Sequence, residues 1–311
     1  YQAGYSNVSG EENVTLGVQA SYTSSQAKYL TAVGYQAAYS LGNAWHNTAI
    51  GHTALRSTTT GEFNVAVGRQ ALYSNTTASN NTAVGYQSLY ANTTGADNSA
   101  FGKYALVSTN TGSFNTAFGS NALYSNTTAS NNTAVGYQAG YSFTTGGYST
   151  VMGYQAAQNA TAGGTVAIGH SSAKNNTGAG ITAVGSNALV TNTSGTSSTG
   201  IGTNALNDNT TGSSNVALGR DALYSNTTAS NNTAVGYQAG YSNTTGTQNT
   251  AIGRASLLRN TTANLNTAVG DYSLFGNTTG AKNVALGAAA LENNTTASHN
   301  TTVGYQAGKN T

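Results

Sequence analysis

Cysteine and proline are both absent from this chain of 311 residues, and charged side chains make up only 6% of it. The lack of cysteine excludes a disulfide framework. The net charge is +2 and the basic residues are scattered singly, so the chain lacks the electrostatic footprint of nucleic-acid binding. It also lacks a long apolar run and a signal peptide, and we therefore predict no membrane insertion by this segment.

What the chain does have is one short repeat, of which residues 81–97 are a clear copy. A glycine holds the same position in eighteen copies, which lie seventeen residues apart except for two adjacent steps of sixteen. These coil glycines are Gly17, Gly34, Gly51, Gly68, Gly85, Gly102, Gly119, Gly136, Gly153, Gly169, Gly185, Gly202, Gly219, Gly236, Gly253, Gly270, Gly287 and Gly304. A short period sustained along a whole chain is typical of a solenoid, in which stacked repeats supply the core.

The columns of the repeat predict the fold class. Small and apolar residues alternate with β-branched ones before each glycine, and clusters of Asn, Gly, Ser and Thr follow. This pattern predicts two short strands in each coil, near residues 81–84 and 87–90, with a longer turn at 92–97. We expect an all-β protein, a parallel β-solenoid or β-roll of about eighteen 17-residue coils that forms one domain over residues 1–311. At the strand spacing it would be a rod of roughly 85 Å with stacked asparagine ladders.

The column just before the glycine, which holds Val, Ile or Phe, can be read in two ways. If the small column and the glycine point inward, strict alternation sends the larger side chains outward, and an outward apolar stripe needs a partner. If the glycine marks a corner, the larger side chains can point inward and the chain can be a monomer. The first possibility underlies our expectation that the solenoid is wound as a homotrimer.

The two ends carry no atypical capping repeat of the kind that protects the terminal faces of a solenoid. We therefore expect this segment to be a fragment of a longer chain whose capping and anchoring parts lie elsewhere.

No set of residues points to catalysis. The eight acidic residues share no column that would bring a pair together on adjacent coils, and catalytic or metal sites need such convergence. His52 and His170 share a column but lie seven coils apart. We predict no catalytic residue, no cofactor-binding residue and no metal ligand, and therefore no enzyme.

Two sets of residues could carry binding or modification. Tyrosines recur five residues after the glycine and could form a strip for binding or packing, with aromatic contact between coils as the simpler interpretation: Tyr73, Tyr90, Tyr124, Tyr141, Tyr224 and Tyr241. Possible glycosylation sites of the form Asn-x-Thr/Ser recur in the long turn, which we expect to be exposed: Asn75, Asn92, Asn126, Asn192, Asn209, Asn226, Asn243, Asn260 and Asn277. An Asn- and Thr-rich repeat also produces such triplets without any glycosylation.

The pentapeptides Asn-Thr-Ala-Ile-Gly at 47–51, Asn-Val-Ala-Val-Gly at 64–68 and Asn-Thr-Ala-Val-Gly at 81–85 resemble the head repeats of YadA-like trimeric autotransporter adhesins. Similar arrays are found in phage tail-fibre and other surface-fibre proteins. The resemblance implies a left-handed β-roll, a homotrimer and display on a bacterial surface, where it binds host or matrix material. The coil here is longer than the usual repeat of that family, and the segment contains neither a membrane-anchor barrel nor a coiled-coil stalk.

Taken together, these patterns favour a non-enzymatic structural and adhesive fibre segment that is extracellular, at a cell surface or on a virion. Its expected partners are copies of itself, in a homotrimer or filament, and surface glycans or host matrix. The alternatives are a phage tail-fibre shaft, a self-assembling glycosylated filament and, ranked lower, an ice-binding solenoid. The strand threonine is often replaced by Val or Ser, which weakens the last alternative.

Overall fold

The computed structural model describes residues 1–310, and its regular secondary structure consists of β-strands of three residues each. The chain divides into two compact units, Tyr1–Gln155 and Ala156–Thr311. In each unit the strands run parallel and each pairs with the next strand along the chain. The expected all-β parallel solenoid is therefore confirmed, whereas the expectation of a single domain stays a prediction.

The first unit contains nine strands. They are β1 (Val14–Leu16), β2 (Thr31–Val33), β3 (Thr48–Ile50), β4 (Val65–Val67), β5 (Thr82–Val84), β6 (Ser99–Phe101), β7 (Thr116–Phe118), β8 (Thr133–Val135) and β9 (Thr150–Met152). Their register is set by the repeat: in β4 and β5, Val65 pairs with Thr82 and Val67 with Val84. Equivalent residues of successive coils therefore lie side by side.

The described part of the second unit, up to residue 310, also contains nine strands. They are β10 (Val166–Ile168), β11 (Thr182–Val184), β12 (Thr199–Ile201), β13 (Val216–Leu218), β14 (Thr233–Val235), β15 (Thr250–Ile252), β16 (Thr267–Val269), β17 (Val284–Leu286) and β18 (Thr301–Val303). Val166 of β10 pairs with Thr182 of β11, so the coil with sixteen residues keeps the same register as its neighbours.

Each strand ends at a coil glycine for two reasons. The φ angle of Gly85 is +136°, a conformation that residues with a Cβ rarely adopt. A Cβ at this position would also lie 2.6 Å from the carbonyl oxygen of Gly102 in the next coil. The glycine thus turns the chain and lets the backbones of adjacent coils approach each other.

The prediction of a second strand in each coil is wrong. Residues 87–90 form a turn in which Gln87 and Leu89 both have left-handed φ angles, of 53° and 49°. Ser88 and Leu89 are both fully buried, whereas a strand would place successive side chains on opposite faces. The small and apolar residues of this segment are typical of a strand in sequence, but the backbone is not extended.

The interior of a coil is narrow and holds small residues, leucine and asparagine. Ala83 of the strand and Leu89 of the turn are fully buried. The Val/Ile/Phe column points outward although the glycine marks a corner: Phe118 is 55% exposed and Met152 is 45% exposed. Of the two possibilities left open by the sequence, the structure selects the outward apolar stripe.

Candidate functional site

Residues 1–310 enclose no pocket, and they contain no group of three or more His, Asp or Glu side chains that could hold a metal ion. His52 contacts Thr53, with 3.2 Å between its Nδ1 and the threonine Oγ1. The repeated features of the described residues are the ladders that run from coil to coil and the outer surface.

One ladder is formed by the asparagines at the strand starts, as the sequence predicts. The Oδ1 of Asn64 accepts the backbone N–H of Asn81 at 3.0 Å, and the Nδ2 of Asn81 donates to the carbonyl oxygen of Gly95 at 2.9 Å. Both asparagines are fully buried. Each amide therefore links two coils and closes its own turn, which satisfies backbone groups that would otherwise be buried without a partner.

The asparagines of the Asn-x-Thr/Ser triplets form a second internal ladder, and the expectation that they lie on an exposed turn is wrong. Their side chains are at most 1% exposed in all nine cases: Asn75, Asn92, Asn126, Asn192, Asn209, Asn226, Asn243, Asn260 and Asn277. The Nδ2 of Asn92, for example, donates to the Oδ1 of Asn75 at 3.0 Å and to the carbonyl of Gly95 at 2.9 Å. A glycan on this nitrogen would replace a donor and would have no room inside the coil. Their position argues against glycosylation of the folded chain.

The tyrosine strip consists of stacked rings. The ring centroids of Tyr73 and Tyr90 lie 5.1 Å apart with 14° between the planes, and those of Tyr124 and Tyr141 lie 4.8 Å apart with 9°. In the second unit Tyr224 and Tyr241 stack at 5.1 Å. Stacking covers one face of each ring in a pair and favours the interpretation as contacts between coils. Binding of a ligand by this strip stays a prediction.

One exposed aromatic cluster was missed by the sequence analysis. It consists of Tyr29, Trp45, His46 and Phe63, and we call it the Trp45 cluster. These residues lie in the two turn columns that later hold Ser79 and Asn80, so a departure from the repeat was the signal that could have revealed them. Tyr29 is 45% exposed, Trp45 44% and Phe63 52%.

Two carboxylates have shifted pKa values. Arg254 donates from Nε and Nη2 to the two carboxylate oxygens of Asp271, at 2.9 and 2.8 Å, and this hydrogen bonding lowers the pKa of Asp271. Burial raises the pKa of Asp208, and the charge of Asp208 in turn raises the pKa of Tyr224. The two carboxylates lie in different columns and make separate contacts.

Comparisons of the chain with protein-family models and with curated proteins each find no match. Among residues 1–310 there is no helix of the length and apolar character needed to cross a membrane.

Proposed function

We propose that this chain is a non-enzymatic structural segment of an extracellular fibre, at a cell surface or on a virion, and that its copies associate as a homotrimer. The observation that carries this proposal is the outward Val/Ile/Phe column, which we call the apolar stripe. The resemblance to trimeric adhesins and to tail-fibre shafts points in the same direction, as does the polar, repeated surface, which suits an adhesive spacer.

The apolar stripe is regular enough to form an interface between copies. In the first unit Ile50 is 39% exposed and Phe118 is 55% exposed, and the rings of Phe101 and Phe118 stack at 5.3 Å. The other outward strand column, of Thr, Val or Ser, carries no charge, so nothing in the strands opposes burial. Contiguous exposed apolar surface of this kind is typical of a site of association. Three copies around one axis would cover one stripe each.

Native mass by light scattering tests the association directly. We expect the mass of three chains for the natural sequence, and the mass of one chain when Ile50, Phe101, Phe118 and Met152 are all replaced by threonine. A matched control replaces four exposed turn threonines, Thr77, Thr94, Thr128 and Thr145, by serine and should leave the trimer intact. A natural chain that stays monomeric at every concentration would refute the homotrimer, and an open-ended polymer would replace it with a filament.

A second candidate is ice binding, and threonine pairs in the turns favour it. In the second unit five successive coils carry such pairs at 210–211, 227–228, 244–245, 261–262 and 278–279. The first hydroxyl of a pair donates to the carbonyl of the next coil, as Thr227 does to Thr244 at 3.1 Å, whereas the second threonine is exposed. This fixes rows of hydroxyl and methyl groups at the strand spacing of about 4.8 Å, which suits ordered water.

Thermal hysteresis of the purified protein tests this candidate. We expect a measurable hysteresis gap that is lost when Thr228, Thr245 and Thr262 are replaced by lysine. The absence of any gap in the natural chain would refute ice binding and would leave the structural proposal intact.

A further inference from the structure

The Trp45 cluster departs from the repeat in three successive coils of the first unit. In the two turn columns, several later coils carry small polar pairs such as Ser79–Asn80, and large apolar residues occur there only singly, at Phe114, Tyr148 and Leu265. These three successive coils instead carry Lys28–Tyr29, Trp45–His46 and Glu62–Phe63. Trp45 is the single tryptophan of the chain. The coil itself does not require these side chains, because Ser and Asn satisfy the same turn elsewhere.

The cluster is ordered by stacking. The rings of Tyr29 and His46 lie 4.5 Å apart with 6° between their planes, and those of His46 and Phe63 lie 4.9 Å apart with 7°. The backbone holds this arrangement, since the N–H of Phe63 donates to the carbonyl of Trp45 at 3.2 Å and that of His46 to Lys28 at 3.0 Å. Aromatic rings held this way form a rigid surface that loses little entropy when a ligand binds.

Trp45 differs from the stacked rings because it lies in the adjacent column, between Lys28 and Glu62. No ring pairs with Trp45 among the described residues, and 44% of the residue is exposed. In the stacked pairs of the tyrosine strip each ring has one face covered by its partner, whereas no ring stacks on the partly exposed indole. An indole face is the group that best receives the C–H face of a pyranose ring.

Charged side chains border this surface and give it a net negative charge. Lys28 forms an ion pair with Glu11, with 3.5 Å between Nζ and Oε2, and Glu12 and Glu62 occupy neighbouring positions of the same two columns. Carboxylates and an ammonium group can hydrogen-bond to sugar hydroxyls and orient them. Three acids against one lysine disfavour an acidic sugar by like-charge repulsion.

From these observations we propose that the Trp45 cluster is a glycan-binding site for neutral sugars, with the pyranose ring stacked on Trp45 beside Phe63. The inference deepens the adhesive part of the proposed function and rests on it. It names the sugar class and moves the binding site from the tyrosine strip to these turns. It does not depend on the homotrimer, because the cluster lies in the turns and the apolar stripe lies in the strands.

The single tryptophan is a built-in reporter for the test. The full chain is titrated with neutral oligosaccharides, namely mannotriose, cellotetraose and N-acetyllactosamine, and with the acidic trigalacturonate, while Trp emission is recorded. We expect a saturable change with at least one neutral sugar and binding at least 10-fold weaker for the acidic one. If none of the neutral sugars changes the emission or gives heat in calorimetry, the proposal fails.

Substitutions by the residues that the repeat uses elsewhere separate binding from folding. We expect Phe63→Asn to weaken binding at least 10-fold and Trp45→Ser to abolish it in calorimetry, with unchanged thermal unfolding. Phe114→Asn changes an exposed Phe of the same column in a coil without tryptophan, and it should bind like the natural chain. If Trp45→Ser still binds sugar, the assignment is wrong. If the same variant lowers the native mass instead, the cluster is an interface between copies and the glycan proposal is overturned.

Discussion

The two copies of a duplicated segment, Ala122–Ser142 and Ala222–Ser242, have the same sequence but different neighbours. The residue that follows is Phe143 in the first copy and Asn243 in the second. In the second copy the Oδ1 of Asn226 accepts a hydrogen bond from Asn243 at 3.0 Å. In the first copy the equivalent Oδ1 of Asn126 is buried and has no partner among the described residues.

Phe143 compensates for this loss with apolar contact. It is fully buried and lies beside Gly140, which stands where most coils have leucine. A Cβ at Gly140 would meet Phe143 Cδ2 at 2.9 Å and Leu123 Cδ2 at 3.0 Å, so the ring fills the space that the missing leucine leaves. The comparison teaches that the interior accepts either an amide ladder or an apolar filler, and that the exchange leaves one acceptor unpaired.

The largest expected effect comes from replacing the coil glycine of either copy, which should disrupt both copies alike. A Cβ would lie 2.5 Å from the carbonyl oxygen of Gly153 at Gly136, and 2.6 Å from that of Gly253 at Gly236, with φ angles of 130° and 134°. We expect Gly136→Ala and Gly236→Ala each to cost more than about 4 kcal/mol, because strain and backbone overlap add. Urea unfolding measures this, with Thr128→Ala on the surface as control. A cost below about 1 kcal/mol would contradict the close approach of the coils.

Truncation of Phe143 and of Asn243 should lower the free energy of unfolding by different amounts. We expect Phe143→Ala to cost about 3–5 kcal/mol, because it leaves a cavity in a fully packed interior. Asn243→Ala should cost about 1–3 kcal/mol, because the Oδ1 of Asn226 loses its donor and the Nδ2 of Asn260 loses one of its two acceptors. The same unfolding measurement compares them, and equal costs would refute the division into apolar filler and amide ladder.

Placing a phenylalanine at the equivalent position of the second copy tests whether apolar filling by itself stabilises the coil. Asn243→Phe reproduces the sequence of the first copy, and Gly240 offers the matching space beside Leu223. We expect a cost of about 1–3 kcal/mol, because the Nδ2 of Asn260 loses the Oδ1 that it contacts at 2.9 Å. A gain in the free energy of unfolding would show that apolar filling outweighs the ladder at this position.

The smallest expected effect concerns the residues before the segments. Ser108 contacts Tyr124 through its backbone in the first copy, and Asp208 contacts Tyr224 in the same way in the second. Asp208→Ser should lower the pKa of the Tyr224 phenol, because the charge of Asp208 raises it. Absorbance titration of the tyrosines measures this, with Asp271→Ser as a control that should leave Tyr224 unchanged.

The raised pKa of Asp208 also determines how the charge of this residue affects the stability of the fold. Its folded-state pKa exceeds the unfolded value of about 3.9, so ionised Asp208 destabilises the fold at neutral pH. This penalty is relieved as the pH falls through the folded-state pKa towards the unfolded one. The unfolding midpoint of Asp208→Ser should therefore depend less on pH in that window, and an unchanged pH dependence would contradict the burial of this carboxylate.

The sequence predicts the parts of the fold that depend on the period alone. The strand ending at Val84, the parallel stacking and the asparagine ladder all follow from a repeat that places like residues side by side. The direction of a side chain outside the strand depends on φ, which the period does not determine. For this reason the left-handed Gln87 and Leu89 appeared to be strand residues, and Asn92 appeared to lie outside. The Trp45 cluster was missed because it is a departure from the repeat.

The asparagine ladders also bear on the chemical ageing of the protein. Deamidation begins when the following backbone nitrogen attacks the side-chain amide carbon, and asparagine is among the thermolabile residues for this reason. Here the amide of Asn81 is held by the turn, while the backbone N–H of Thr82 donates to the carbonyl of Asn98 at 2.8 Å. The attacking nitrogen is therefore held in place. The same bonds that join the coils should make an asparagine-rich chain slow to lose ammonia.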